Sequence, residues 1–353
     1  MTASRLLAVL ASLAITAHAA PLAAQEEESR EREERRSLDL TIDGYGISIG
    51  DSRRLNGIRL NYRDTRLDYV NGANITIWMP HEESDGVVNG VALGLPATGA
   101  ERINGIAGGL LGIGAGENIH GIGMALVGLG AGQSLAGVMI GGIGLGSGQN
   151  FTGVGVGGIG VGAGSNLDGI TIAGIGAGAG NRVRGIHVAG IGVGAGGELT
   201  GIAVGGIGVG AGGTLTGVAI GGIGVGAGGD VRGITVGGIG VGAGGTLRWL
   251  AIGGVGVGAP RVEGVAISGI AAGGVDVVGL MLAGAHVRIA DRGSLTGVAA
   301  SAFNYVKGRQ NGLTIGIFNY ARELNGVQIG LLNYAGNNRP GLKLLPIVNV
   351  HIQ

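Results

Sequence analysis

The residues able to do acid, base or metal chemistry are few in this chain, and they do not gather. His81, His120, His187, His286 and His351 are scattered, with no pair at a spacing that metal ligands share. Each reads as a surface or corner residue. Asp168 and Asp230 fall at different points of the sequence pattern and do not recur, so no row of calcium-binding aspartates is built. The nucleophile motif G-x-S-x-G is absent, and Ser268 lacks the glycine two residues before it. G-x-G-x-x-G does occur, as at Gly208, Gly210 and Gly213. It returns repeatedly with no helical pattern behind it, whereas nucleotide binding needs one such loop between a strand and a helix. No pair of carboxylates stands out from the background. Cysteine is missing altogether, which excludes disulfides, thiol catalysis and a lipid-bearing cysteine. The sequence therefore predicts no catalytic residues, no cofactor and no metal.

What does recur is a set of polar and aromatic columns near the C-terminus. The segments Ala302-FNYV-Lys307, Ile317-FNYA-Arg322 and Leu331-LNYA-Gly336 align Asn304, Asn319 and Asn333, with Asn349 fitting the same column. Tyr305, Tyr320 and Tyr334 form a second column. Stacked asparagines can hydrogen-bond to one another and to the backbone at a corner of the chain. A tyrosine row has a functional alternative, the binding of carbohydrate.

These columns belong to a larger repeat. Segments beginning at Gly185, Gly201, Gly217 and Gly233 are near copies sixteen residues apart, such as Gly201-IAVGGIGVGAGGTL-Thr216. Copies can be started at 57, 72, 90, 105, 121, 137, 153, 169, 185, 201, 217, 233, 249, 264, 279, 297, 312, 326 and 341, with a partial copy near Gly44. Such self-similarity means an array. With the leading glycine as position 1, apolar side chains fall at positions 2, 4, 7, 9, 11 and 15. Spacing by two and β-branched side chains are strand signals. The alternation slips at Gly205-Gly206 and around Gly212-Gly213, where paired glycines mark bends.

The fold expected is therefore all-β: a repeat-built β-solenoid with about 16 residues per coil. The alternative is a transmembrane β-barrel with one strand per copy. A barrel would need two alternating kinds of turn and aromatic girdles, and the central copies have one kind of turn and no girdle. In the solenoid, Ile175, Ile191, Ile207, Ile223 and Ile239 form one ladder, expected to point into the core. Nineteen coils at roughly 4.8 Å each would make a rod on the order of 90 Å long. Gly192, Gly208, Gly224 and Gly240 form a column expected to be a packing face. Bare glycine on a strand weakens it unless something approaches closely.

Composition agrees with such an array. Glycine accounts for 84 of 353 residues, charged residues for 13% and aromatics for 3%. Apolar residues at 45% argue against disorder. The formal net charge of zero offers no basic surface for nucleic acid. Collagen is excluded, since glycine falls mostly at every second position and there are only 6 prolines.

Residues 1–24 read as a secretory signal peptide. Arg5 precedes the apolar stretch Leu6–Ile15, and small residues follow at Ala17-His18-Ala19 or Leu22-Ala23-Ala24. Residues 25–43 include the charge run QEEESREREERR and read as a charged linker or N-terminal cap. The repeat array spans 44–340, with a glycine-rich centre at 105–260 and NYA-type repeats at 297–340. Residues 341–353 are the C-terminal cap candidate. After the leader no transmembrane helix is expected, though membrane association is compatible with the pattern.

The segment LNGVQIGLLNYAGN, residues 324–337, resembles the bacterial surface-repeat family first noted among spirochaete lipoproteins, whose repeats read NG-x-x-x-GL-x-NYA. The likeness is most specific over 297–353. It extends to the copies led by Asn56-Gly57, Asn71-Gly72, Asn89-Gly90 and Asn104-Gly105, and the glycine-rich centre departs from it. It implies an exported cell-surface or envelope protein and supplies no catalytic residue. Together these readings predict a protein of the surface, outer membrane or periplasm with a structural, adhesive or scaffold role. Self-association or an envelope partner would use the glycine face. The barrel alternative would make it an outer-membrane pore.

Overall fold

A computed structural model describes residues 37–81 and 85–352. The leader and the charge run QEEESREREERR lie outside the described residues. Every regular element described is a β-strand. The chain divides into two compact units at Gly116–Glu117.

The second unit contains the regular copies, and each copy is one turn of a β-solenoid. Strands Glu198–Gly205, Leu215–Gly221 and Val231–Gly237 lie side by side, as do the short strands Gly208–Ala211, Gly224–Ala227 and Gly240–Ala243. Pairing is parallel and joins equivalent residues of successive copies, Leu199 to Leu215 to Val231 and Val209 to Val225 to Val241. This excludes the barrel, in which consecutive copies would pair antiparallel.

The interior of each coil is filled by positions 15, 3, 5, 9 and 11. In the copy at Gly201 these are Leu215, Ala203, Gly205, Val209 and Ala211, all buried. The alternation runs inward from Leu215 through Gly217 to Ala219, so the residues between them face out. Ile202 and Ile207 are exposed and Val204 half-buried. The expected inward ladder is therefore corrected. Ile175, Ile191, Ile207, Ile223 and Ile239 do stack, each N–H bonding the carbonyl of its predecessor, but their side chains are 47–53% exposed. The cause is the radius of the corner at Gly205–Ile207. The inward position at the bend holds only small residues, Gly205 here and Ala173 and Ala189 in earlier copies, and the isoleucine two residues on is turned outward.

Position 1 is a second corner. Gly185, Gly201, Gly217 and Gly233 have φ of +124°, +120°, +119° and +134°, and a Cβ on any of them would overlap the carbonyl oxygen of the copy before. One such position breaks the rule: Trp249 pairs with Gly233 and holds φ at +84°.

Both ends carry antiparallel strands. Ser37–Ile42 and Tyr45–Gly50 form a hairpin about Asp43–Gly44, both at positive φ as a tight two-residue turn requires. Gly46 pairs with Gly57, which places the partial first copy at Gly46 rather than Gly44. At the other end Leu344–His351 lies antiparallel on the last repeat strand, Gly326 facing His351. Parallel strands Arg54–Asn61, Tyr69–Thr76 and Val87–Gly94 carry the copies of the first unit.

Candidate functional site

The outward positions of the coils make the candidate site, because a repeated coil presents each of them as a row. On the coils starting at 121, 137, 153, 169, 185, 201, 217, 233, 249 and 264, position 2 is always Ile, Val or Leu, and position 4 is Ile or Val except for Met124. Position 7 is Ile or Val throughout. Those side chains are exposed or half-buried in every one of these coils. The rows at positions 2 and 4 share one strand and the position-7 row lies on the bend beside it, so together they make one uncharged aliphatic face that wraps the bend. Such a face is the opposite of what strand alternation usually gives, with aliphatics inside and polar groups outside.

The glycine columns lie next to it. Gly192, Gly208, Gly224 and Gly240 point outward, and a Cβ on each would stand 3.3–3.4 Å from one carbonyl of the next coil. Gly194, Gly210, Gly226 and Gly242 are freer, with the nearest atom at 3.8–4.0 Å. Among the described residues no layer packs on these columns. In the central copies a Cβ would overlap backbone at positions 1, 6 and 12, whereas at positions 8 and 10 of the copies from Gly185 to Gly233 it stands clear; position 5 also accepts alanine, as at Ala173 and Ala189.

Followed toward the C-terminus, the same columns change residue. Gly242 pairs with Gly258, Gly258 with Gly273, Gly273 with Arg288 and Arg288 with Tyr305. The tyrosine row thus continues a glycine row. The rings of Tyr305, Tyr320 and Tyr334 stack at 4.6 and 5.1 Å between centroids, and Lys307 Nζ sits 5.8 Å from the Tyr305 ring. Burial and then the neighbouring phenols push Tyr320 above its ordinary pKa. Stacking covers both faces of Tyr320 and one face each of Tyr305 and Tyr334, which leaves little ring face along the row for the face-on stacking by which sugars bind.

The asparagine row continues the buried valine column, Val257 to Ala272 to Val287 to Asn304. It therefore lies inside the coil, where an unpaired amide would be costly. Asn304 Nδ2 donates to Asn319 Oδ1 at 2.8 Å and Asn319 Nδ2 to Asn333 Oδ1 at 2.7 Å. Each also donates to a backbone carbonyl, Ile315 and Ile329 respectively. Asn349 comes from the final antiparallel strand and pairs with Gln328 rather than standing in the column, and its amide donates to the Asn333 carbonyl at 3.1 Å.

Position 3 is buried. His187 is 1% exposed, its Nδ1 lying 2.8 Å from the hydroxyl of Thr171 in the coil before. Burial lowers its pKa, against a backbone hydrogen bond at Arg184 and the charge of Asp168. The expectation of a surface or corner histidine is thus corrected here. In the first unit the same column holds Arg59 and Asn74. Arg59 is wholly buried, bonded to Asp51, Asp64 and Asn74. A paired charge fills the interior where the coils starting at 201 and 217 have Ala203 and Ala219.

Charged side chains of the central coils are confined to positions 14 and 16. Arg182 meets Asp168 at 3.2 Å, Arg232 meets Asp230 at 2.8 Å and Arg248 meets Glu263 at 2.6 Å. The Thr246 N–H, then Arg232, hold the Asp230 carboxyl below its usual range. The sequence shows the aliphatic columns and Trp249, but not that the columns at positions 2, 4 and 7 face outward. Read in register, RWLAIGG stands where the preceding copies have a glycine in place of the tryptophan. Comparison with family models, curated proteins and solved structures returns no match to this chain.

Proposed function

We propose that this chain is an exported, repeat-built protein of the cell surface or envelope, with a structural or adhesive scaffold role and no catalysis. The observation that carries the reading is the surface of the second unit. Successive coils present the same outward residues in straight rows, where a reaction site would bring different reactive residues together at one point. Rows suit an extended or repeated partner. The leader at residues 1–24 and the likeness of residues 297–353 to spirochaete surface repeats support export.

Expression of the full chain in a bacterial host tests this. The product recovered from the periplasm or envelope should begin after Ala19 or after Ala24, as read by N-terminal sequencing. An uncut chain confined to the cytosolic fraction would overturn the export reading.

A further inference from the structure

We infer that the aliphatic face of the second unit is a self-association surface, occupied by the same face of a second copy. The face spans the ten coils from Gly121 to the one beginning at Gly264. Position 7 lies on the bend at Gly205–Ile207, so the flat part of the face is the rows at positions 2 and 4. At about 4.8 Å per strand along the coil axis and about 3.3 Å per residue across the strand, ten coils make a strip roughly 48 Å long and about 10 Å wide, on the order of 500 Å², with the position-7 row along its edge. The largest apolar patch of an ordinary monomer is about 300–600 Å². A stable interface buries about 800 Å² on each partner, a size reached when the partner also covers the position-7 row on the bend.

Three features select a second copy over other occupants. First, the rows repeat at the strand spacing, and only a surface with the same spacing can seat its side chains between them along the whole length. A second copy has that spacing by construction, and a two-fold axis places the face on itself. Second, the face carries no charge at positions 2, 4 or 7, so burying it leaves no ion unpaired. Third, the charges flanking it are of both signs and paired among themselves, as in Arg182–Asp168 and Arg248–Glu263, which gives no basic belt for an anionic lipid surface.

Trp249 marks the edge of the face independently. It is 71% exposed and occupies a position-1 corner at φ +84°, where each of the copies starting at 185, 201, 217 and 233 has glycine. A bulky residue there strains the fold. Tryptophan is also the residue type most often found as an interface anchor. Its retention at a strained corner beside an aliphatic face, with most of its surface open, fits an anchor for the partner.

Sedimentation equilibrium of the purified protein at micromolar concentration tests the inference. The parent should sediment as a dimer. The double variant Ile186→Thr/Ile202→Thr keeps β-branched side chains and full exposure in the monomer, and should weaken the dimer at least about tenfold. The charged double variant Ile186→Lys/Ile202→Lys should be monomeric. Thr200→Lys/Thr216→Lys, on the polar row, should leave the dimer unchanged. Trp249→Gly should weaken the dimer while raising the melting temperature of the monomer, a pair of changes that a merely structural tryptophan would not produce. A parent that is monomeric overturns the inference, and a monomer that floats with neutral phosphatidylcholine vesicles assigns the face to lipid instead. A dimer that survives both face variants places the interface elsewhere. None of these outcomes depends on whether the chain is exported.

Discussion

Glycine at position 1 of a coil and glycine at position 10 are the same residue held for different reasons. At Gly201 the backbone is at φ +120° and a side chain would run into the carbonyl of Gly185. At Gly210 the backbone is ordinary and the nearest atom to a Cβ is 3.9 Å away. Gly201→Ala should therefore cost on the order of 3 kcal/mol, from backbone strain and overlap together. Gly210→Ala should be neutral or stabilising by about 0.4–1 kcal/mol, since it restricts the unfolded chain and meets nothing in the folded one. Urea denaturation of the two variants checks this, and equal losses would mean that the outward columns are not open. Trp249 adds a condition. A side chain at position 1 is tolerated when the backbone turns to φ +84° to clear the neighbouring carbonyl, so Gly201→Ala should fold, at lower stability.

At the scale of the strand, parity decides the core. The strand carrying Val209 and the corner carrying Ile207 hold two aliphatic residues separated by one glycine, and hydropathy alone cannot rank them. Val209 is buried against the interior of the coil, whereas Ile207 is 48% exposed. Val209→Asp should bury an unpaired charge and cost at least about 3 kcal/mol. Ile207→Asp should cost less than about 1.5 kcal/mol, mainly through strand propensity, when measured at a dilution that removes association. Similar melting temperatures for the two would reject the assignment of faces. The repeat length, the strands and the bends near Gly205-Gly206 and Gly212-Gly213 were legible in the sequence, because period-two alternation and paired glycines report local backbone geometry, whereas the positive-φ corner at position 1, a lone glycine, was not. The direction of the side chains was not. Passing from Leu215 through Gly217 to Ala219 keeps strict alternation, and the apolar residues at positions 2 and 4 then fall outside. A rule that puts every aliphatic inside fails on a coil too narrow to hold them. The asparagine column was legible as a hydrogen-bonded stack, since identical residues in register must meet. Its place inside the coil was not, because only register shows that Asn304 follows Val287 and Val257.

For the second unit as a whole, stability is close to a sum over coils and the contacts between neighbours, because each central coil pairs only with the one before and the one after. Two consequences follow for length. Removing residues 201–216 joins Thr200 to Gly217. The residue after the junction is again a position-1 glycine, and Gly185 then stands beneath Gly217 in the register that Gly201 held. Every inward and outward position keeps its side, and the coils on either side meet the same backbone they met before. Removing residues 201–208 instead joins Thr200 to Val209. That brings position 9 onto position 1, places a valine where φ is +120° in the parent, and puts the remaining half-coil out of register with both neighbours. The first deletion should give a folded β-protein with a melting temperature within a few degrees of the parent, lower by the loss of one coil interface. The second should lower it steeply or leave the unit unable to fold. Circular dichroism melts of the two shortened chains distinguish them. If both melt alike, the coil is not the unit of stability and the additive account of the array is wrong.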